Sequence, residues 1–207
     1  MKYKQIVFDV DGTLLDTEYA VLHSLQDTIE SITGEKPELE RLAFVLGITG
    51  ESALKQLGLT SIPAVLSQWE HNMERYFDSI QVFDHIKDLL EALAAYGYEL
   101  GIVTSKTREE FVHDFCVFGI EHLFRTVVCS NDTSEHKPNP APILKYIELT
   151  QCSPEDVLYI GDSVYDMECA AGAGVDFALA GWGVKRKLDA PVFYQTPLDA
   201  RKHLCFD

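Results

Sequence analysis

Ile6-Val7-Phe8-Asp9-Val10-Asp11-Gly12-Thr13-Leu14-Leu15-Asp16 decides how the chain is read. Its apolar start, Ile6 to Phe8, reads as a short buried strand that ends in two carboxylates flanking Val10, and Gly12-Thr13 then breaks the strand pattern. In an open α/β sheet, ligands sit just beyond the carboxyl ends of the strands, which is where Asp9 and Asp11 fall. Two acids at i, i+2 on such a turn can hold a hard cation. One can also attack phosphorus while the other moves a proton. A solvated Asp-Gly turn has the same letters, so the meaning of the stretch depends on what the remaining strand ends supply.

Working outward, the pattern after Asp16 is helical. Tyr19, Leu22, Leu25, Ile29 and Ile32 recur at spacings of three and four until Gly34. Shorter helical stretches follow at Leu39–Leu46 and Glu51–Leu57, separated by the turn Gly47-Ile48-Thr49-Gly50, and Ser61-Ile62-Pro63 opens a helix to about Phe77. From Gln81 onward strands and helices alternate. Strands are expected at Tyr98–Val103, Thr126–Cys129, Val157–Ile160 and Val175–Ala180, with helices at Ile86–Leu93, Glu109–Phe118, Pro142–Leu149 and Val164–Ala171 between them. Such alternation implies a parallel sheet with right-handed crossovers. The expected organisation is an α/β core from residues 1–16 and 81–207, with an all-helical insert over 17–80.

Composition narrows the function. The 207 residues are 46% hydrophobic, enough for one sizeable core and a small second module. A net charge of -16, from 33 acids against 17 bases, disfavours nucleic acid and anionic membranes as partners. The five cysteines are scattered without a C-x-x-C pair, which suits reduced thiols in a cytoplasmic protein. No signal peptide is visible in the polar start, and no apolar run approaches the ~20 residues of a membrane helix.

Three further strand ends carry chemistry. Leu100-Gly101-Ile102-Val103 runs into Thr104-Ser105-Lys106, where a hydroxyl and free backbone N–H groups suit a phosphate oxyanion, although Thr104 reads equally as an N-cap. His136-Lys137-Pro138-Asn139-Pro140 holds a lysine in a proline-stiffened loop, able to offset the charge of a nucleophile and a phosphate together or simply to sit on the surface. Leu158-Tyr159-Ile160-Gly161-Asp162 ends a buried strand in an acid, with Asp166 about one helical turn later. Asp162 fits a metal ligand and Asp166 a residue that orients it, while helix N-terminal acid preference also explains Asp166.

The order acid pair, hydroxyl, lysine, acid pair resembles the haloacid dehalogenase-like hydrolase superfamily over essentially the whole chain. That resemblance implies a Rossmann-like, doubly wound parallel core beneath a helical cap. It further implies a Mg2+-dependent phosphatase with Asp9 as the nucleophile that becomes an aspartyl-phosphate and Asp11 as general acid and base. Thr104, Ser105 and Lys137 would bind the phosphoryl group. Mg2+ would be held by the Asp9 side chain, the Asp11 carbonyl and Asp162, with Asp166 behind them. Substrate choice would sit on the cap near Gly47 and Gly50, with Lys106 or Arg108 contacting the leaving group. Dehalogenases of the superfamily lack the second acid of the first motif, so Asp11 argues against dehalogenation. In this resemblance the place of the β-phosphoglucomutase cap arginine is taken by Gly50, which argues against a mutase. A small phosphorylated metabolite resembling phosphoglycolate is the expected substrate, and pyrophosphate is the alternative. A non-catalytic regulator would lack one of the four motifs, and none is missing. A monomer is expected, with a dimer as the alternative.

Overall fold

The computed structural model describes residues 2–184 and 188–206; Met1, residues 185–187 and Asp207, which the sequence reading assigns to the core, lie outside them. β1 (Gln5–Phe8) is buried along its whole length because it has a parallel partner on each side. The chain then forms the two-residue strand β2 (Leu15–Asp16) and enters four helices: α1 (Glu18–Thr33), α2 (Leu39–Leu42), α3 (Gly50–Gln56) and α4 (Ile62–Met73). It returns through β3 (Gln81–Val82), which pairs antiparallel with β2, Asp16 opposite Gln81. The remainder alternates as α5 (Ile86–Tyr96), β4 (Glu99–Val103), α6 (Arg108–Asp114), β5 (Thr126–Val128), α7 (Ala141–Thr150), β6 (Val157–Gly161), α8 (Val164–Ala173), β7 (Asp176–Ala180), β8 (Phe193–Tyr194) and α9 (Pro197–Phe206).

Six of the described strands form a parallel sheet in the order β5-β4-β1-β6-β7-β8, apart from the β2–β3 ribbon. The chain runs outward from β1 on one side and, after β5, crosses back to build the other. This makes the carboxyl end of β1 the point where connections diverge and leave a crevice. Alternate side chains of β1 face opposite layers. Ile6 and Phe8 pack with Leu89, Leu90 and Leu93 of α5 and Leu204 of α9, whereas Val7 packs with Ile143 and Tyr146 of α7 and Cys169 of α8.

The helical insert has its own apolar interior, built from Leu22, Leu25 and Ile29 of α1, Leu42, Leu54, and Val65 and Trp69 of α4. Side-chain bonds tie α4 to α1: Trp69 Nε1 donates to Ser24 Oγ at 2.9 Å, Asn72 Nδ2 to Thr28 Oγ1 at 2.8 Å and Gln68 Nε2 to Ser31 Oγ at 2.9 Å. Gly34, in the left-handed region at φ 75°, ends α1 as its sequence position predicts.

Several details differ from the sequence reading. α4 stops at Met73, and Glu74–Ser79 winds more tightly as a 3-10 segment in which Ser79 Oγ bonds Tyr76 O. α6 stops at Asp114 rather than Phe118, the last residues again forming a 3-10 turn before Gly119. β8 and α9 were not anticipated. Yet Thr196 and Asp199 exchange bonds as a capping pair, Asp199 N to Thr196 Oγ1 at 3.2 Å and Thr196 N to Asp199 Oδ2 at 3.0 Å, a start signal the sequence does carry. No helix among the described residues is long and apolar enough to cross a membrane.

Gly101 shows how closely the layers approach. Tyr146 leans across it so that its hydroxyl donates to Gln5 Oε1 at 2.7 Å, and a Cβ on Gly101 would lie 2.3 Å from the Tyr146 ring. Gly101→Ala is therefore expected to lower stability by about 1–3 kcal/mol through overpacking, read as a reduced urea midpoint.

Candidate active site

Asp9 lies one residue past β1, where its backbone N–H still donates to Ile160 O at 2.9 Å and so continues the parallel ladder. The chain then turns sharply. Val10 O accepts from the N–H groups of Leu14 and Leu15 at 2.8 and 2.9 Å, and Gly12 adopts φ 78°. A side chain at Gly12 is excluded on space as well as on conformation, because a Cβ would fall 2.3 Å from Asp162 Oδ2. Thr13 Oγ1 donates to Asp162 Oδ1 at 3.0 Å, so the first and last motifs are joined directly.

Lys137 completes the cluster. Its ammonium donates to Asp9 Oδ1 at 2.8 Å and to Asp166 Oδ1 at 2.7 Å, and all three side chains are almost wholly buried. Asp166 is further engaged: Ser163 Oγ and Ser163 N donate to Oδ2 at 2.6 and 3.1 Å, and the Tyr159 hydroxyl lies 3.0 Å from Oδ1. With both oxygens occupied, Asp166 is suited to holding Lys137 in place.

Burial raises the Asp9 carboxyl to about 7, the Lys137 charge opposing that rise and the Asp166 and Asp11 charges adding to it. Burial, followed by the Asp166 and Asp9 charges, pushes Asp162 well above the carboxylate range. Burial disfavours the Lys137 charge, but Asp166 and Asp9 outweigh it and hold the ammonium above its ordinary value. The pocket thus concentrates more carboxylate than its one ammonium neutralises. Oxygens of Asp9, Asp162 and Asp166 lie within 4.8 Å of one another. An all-oxygen set with excess negative charge fits a hard divalent cation. Asp11 is not part of that carboxylate set. Its Oδ1 turns toward Lys106 Nζ, 3.3 Å away, and is buried without a hydrogen-bond partner among the described residues.

Thr104 is buried at the tip of β4, where its Oγ1 accepts from Lys106 N at 3.2 Å. Ser105 Oγ donates to Gly47 O at 2.9 Å, bringing the cap turn onto the core. Gly47 (φ 93°) has no room for a Cβ, which would lie 2.7 Å from Ser163 Oγ. A cavity of about 480 Å³ opens beside this contact, with Asp9, Asp11, Ser105 and Lys106 at its base and Gly47, Gly50 and Trp69 on the cap side. Arg108 is not brought there: its guanidinium bonds Asp132 Oδ2 at 2.6 Å and Val127 O at 3.0 Å.

Sequence reasoning missed several contributors. Tyr159 read only as a strand residue. Asp114, which accepts from Lys106 Nζ at 2.8 Å, read as part of a helix face. Trp182 Nε1 donates to Thr13 O at 2.8 Å, and a Cβ on Gly183 would lie 1.7 Å from Gly12 O, so this segment closes over the first motif. A tryptophan between two glycines directly after an apolar strand was the available signal.

Comparison with known proteins agrees with this geometry. The family model described as haloacid dehalogenase-like hydrolase matches residues 6–180. A provisionally named pyrophosphatase PpaX of Caldanaerobacter subterraneus is 31% identical over 185 residues, covering 89% of this chain and 84% of that protein. A provisionally named phosphoglycolate phosphatase of Lactobacillus plantarum superimposes with a TM-score of 0.88 at 29% identity, covering 97% of this chain and 98% of the other. A haloacid dehalogenase-like protein of Bacteroides fragilis, 24% identical with a TM-score of 0.85 over 94% and 98% of the two chains, shares the fold. With the four strand-end motifs converging on one buried cluster, the chain belongs to the haloacid dehalogenase-like hydrolases.

Proposed function

We propose that the protein is a Mg2+-dependent phosphatase that transfers the phosphoryl group of a small phosphorylated metabolite to Asp9 and then to water. The observation that carries this reading is the buried Asp9–Lys137 pair at 2.8 Å, flanked by Asp11 and Asp162 at the same end of the sheet. A carboxylate does not readily approach a dianionic ester, so fixed positive charge must be present before attack. Lys137 supplies part of it, held by the hydrogen-bonded Asp166. The side chains of Asp9 and Asp162 and the main-chain carbonyl of Asp11 would hold a Mg2+ ion, which would supply the rest as a Lewis acid.

The Asp9 carboxylate attacks phosphorus and the bond to the leaving oxygen breaks. Asp11, whose Oδ1 has no hydrogen-bond partner among the described residues, gives its proton to that oxygen. In the second half-reaction Asp11 takes a proton from water, which attacks the same phosphorus and frees inorganic phosphate and Asp9. Thr104 and the backbone N–H of Ser105 hold phosphoryl oxygens throughout. The cap, docked through Gly47, keeps bulk water from the intermediate. A phosphoglycolate-like monoester and pyrophosphate are the two substrates suggested by the relatives' names.

Asp9→Asn is expected to abolish Mg2+-dependent release of p-nitrophenol from p-nitrophenyl phosphate. Asp11→Asn should lower kcat by a factor of about 10² or more. Full turnover by Asp9→Asn overturns the assignment of the nucleophile.

The pH behaviour follows from the raised Asp9 carboxyl. Without a cation, the folded protein keeps a proton on Asp9 that the unfolded chain has already released. The stability contributed by this group is therefore present at acid pH and lost as pH rises toward about 7. Cation binding needs the carboxylate, so the increase in Tm on adding Mg2+ should be larger at about pH 7.5 than at about pH 5.5, measured by differential scanning fluorimetry.

A further inference from the structure

Past the phosphoryl end, the cavity is walled by acids from both modules. The core contributes Glu109, Glu110 and Asp114 of α6, and the cap contributes Glu70 of α4 and Glu74 just beyond it. Helix N-terminal preference accounts for Glu109 and Glu110, in the first turn of α6. It does not account for Glu70, in the third turn of α4.

Glu70 makes no ion pair among the described residues. Glu70 is an exposed side chain on the cavity wall; partial desolvation there, then the charges of Glu110 and Asp114, hold its carboxyl above the ordinary value. Asp114 stays ionised because Lys106 outweighs its burial. Lys106, the lysine lining this cavity, is already shared between Asp114 at 2.8 Å and Asp11 at 3.3 Å. His71 and His113 also line it, each beside a carboxylate (Glu74 at 3.7 Å and Asp114 at 2.7 Å), so protonation of either cancels only an adjacent acid. A leaving group with its own carboxylate or phosphate would add like charge to two facing anionic walls. An ammonium group would be matched by both.

We propose that the physiological substrate is the phosphomonoester of an amino alcohol, its ammonium group facing Glu70 and Glu110 and its carbon chain lying against Trp69 and Phe77. This rests on the phosphatase reading and selects the substrate class for it. The P–O bond to the amino alkoxide breaks, the Asp11 proton goes to the alkoxide oxygen, and the amino alcohol leaves with its ammonium unchanged. Water supplies the oxygen that ends on phosphate.

Three esters of nearly the same size test it: O-phosphoethanolamine, 2-hydroxyethyl phosphate and phosphoglycolate, which end in a cationic, a neutral and an anionic group. With Mg2+, kcat/KM should fall in that order, with a ratio of first to last of at least about tenfold. Glu70→Gln should reduce that ratio by about threefold or more, and Glu70→Lys should reduce it further. Trp69 fluorescence and unfolding curves check that both variants are folded. Phosphoglycolate turned over as fast as phosphoethanolamine, or a ratio unmoved in both folded variants, overturns the substrate class while leaving the phosphatase intact. Failure to hydrolyse p-nitrophenyl phosphate as well as all three esters overturns both.

Discussion

A buried ammonium held between two buried carboxylates is the constraint on which the rest of the site depends. Asp9 and Lys137 come from loops after β1 and β5 and Asp166 from the first turn of α8 after β6, and each bears a charge whose isolated burial would cost several kcal/mol. The cluster persists because both oxygens of Asp166 have further partners. Ser163 caps α8 and saturates one side of Asp166, and Tyr159 reaches up from within β6. Its hydroxyl lies 2.9 Å from Val103 O and 3.0 Å from Asp166, so one proton serves either neighbour. Strand spacing therefore becomes carboxylate spacing.

The sheet order explains why these loops meet. Parallel strands on both sides of β1 deliver their carboxyl ends to one rim, and the change of direction after β5 leaves the crevice open above β1. The helical module stands over that crevice with an apolar interior of its own. Its contacts downward are both polar and apolar: Ser105 bonds Gly47 and Tyr165 bonds Phe44 O at 3.1 Å, while Met73, Tyr76 and Phe77 pack against the apolar cluster of the core.

Much of this was legible in the chain, for physical reasons. Ile6–Phe8 announces a two-sided buried strand because no polar residue interrupts it, and the acids must then fall at its tip. The Gly34 stop and the alternation after Gln81 are equally local signals. What escaped were features made by contacts distant in sequence. β8 has only two residues and takes its meaning from β7. The partnership of Lys106 with Asp114 joins a loop to the end of the next helix, and Arg108, two residues from Lys106, is drawn to Asp132 instead. Residue type alone does not say toward which acid a basic side chain will point. Asp166 reads both as a helix-start acid and as a residue that orients Asp162; its pairing with Lys137 is what no local signal carries.

The β2–β3 ribbon carries a mechanical consequence. Both passages between the modules lie side by side and are zipped to each other, Leu15 to Val82 and Asp16 to Gln81. Two separate tethers would let the upper module slide or twist freely, whereas a single zipped pair acts as the pin of a door. A swing about that pin would be smallest beside Asp16 and would grow with distance from it. The leaf can then open without dragging on Asp9, which sits behind the pin in the rigid frame.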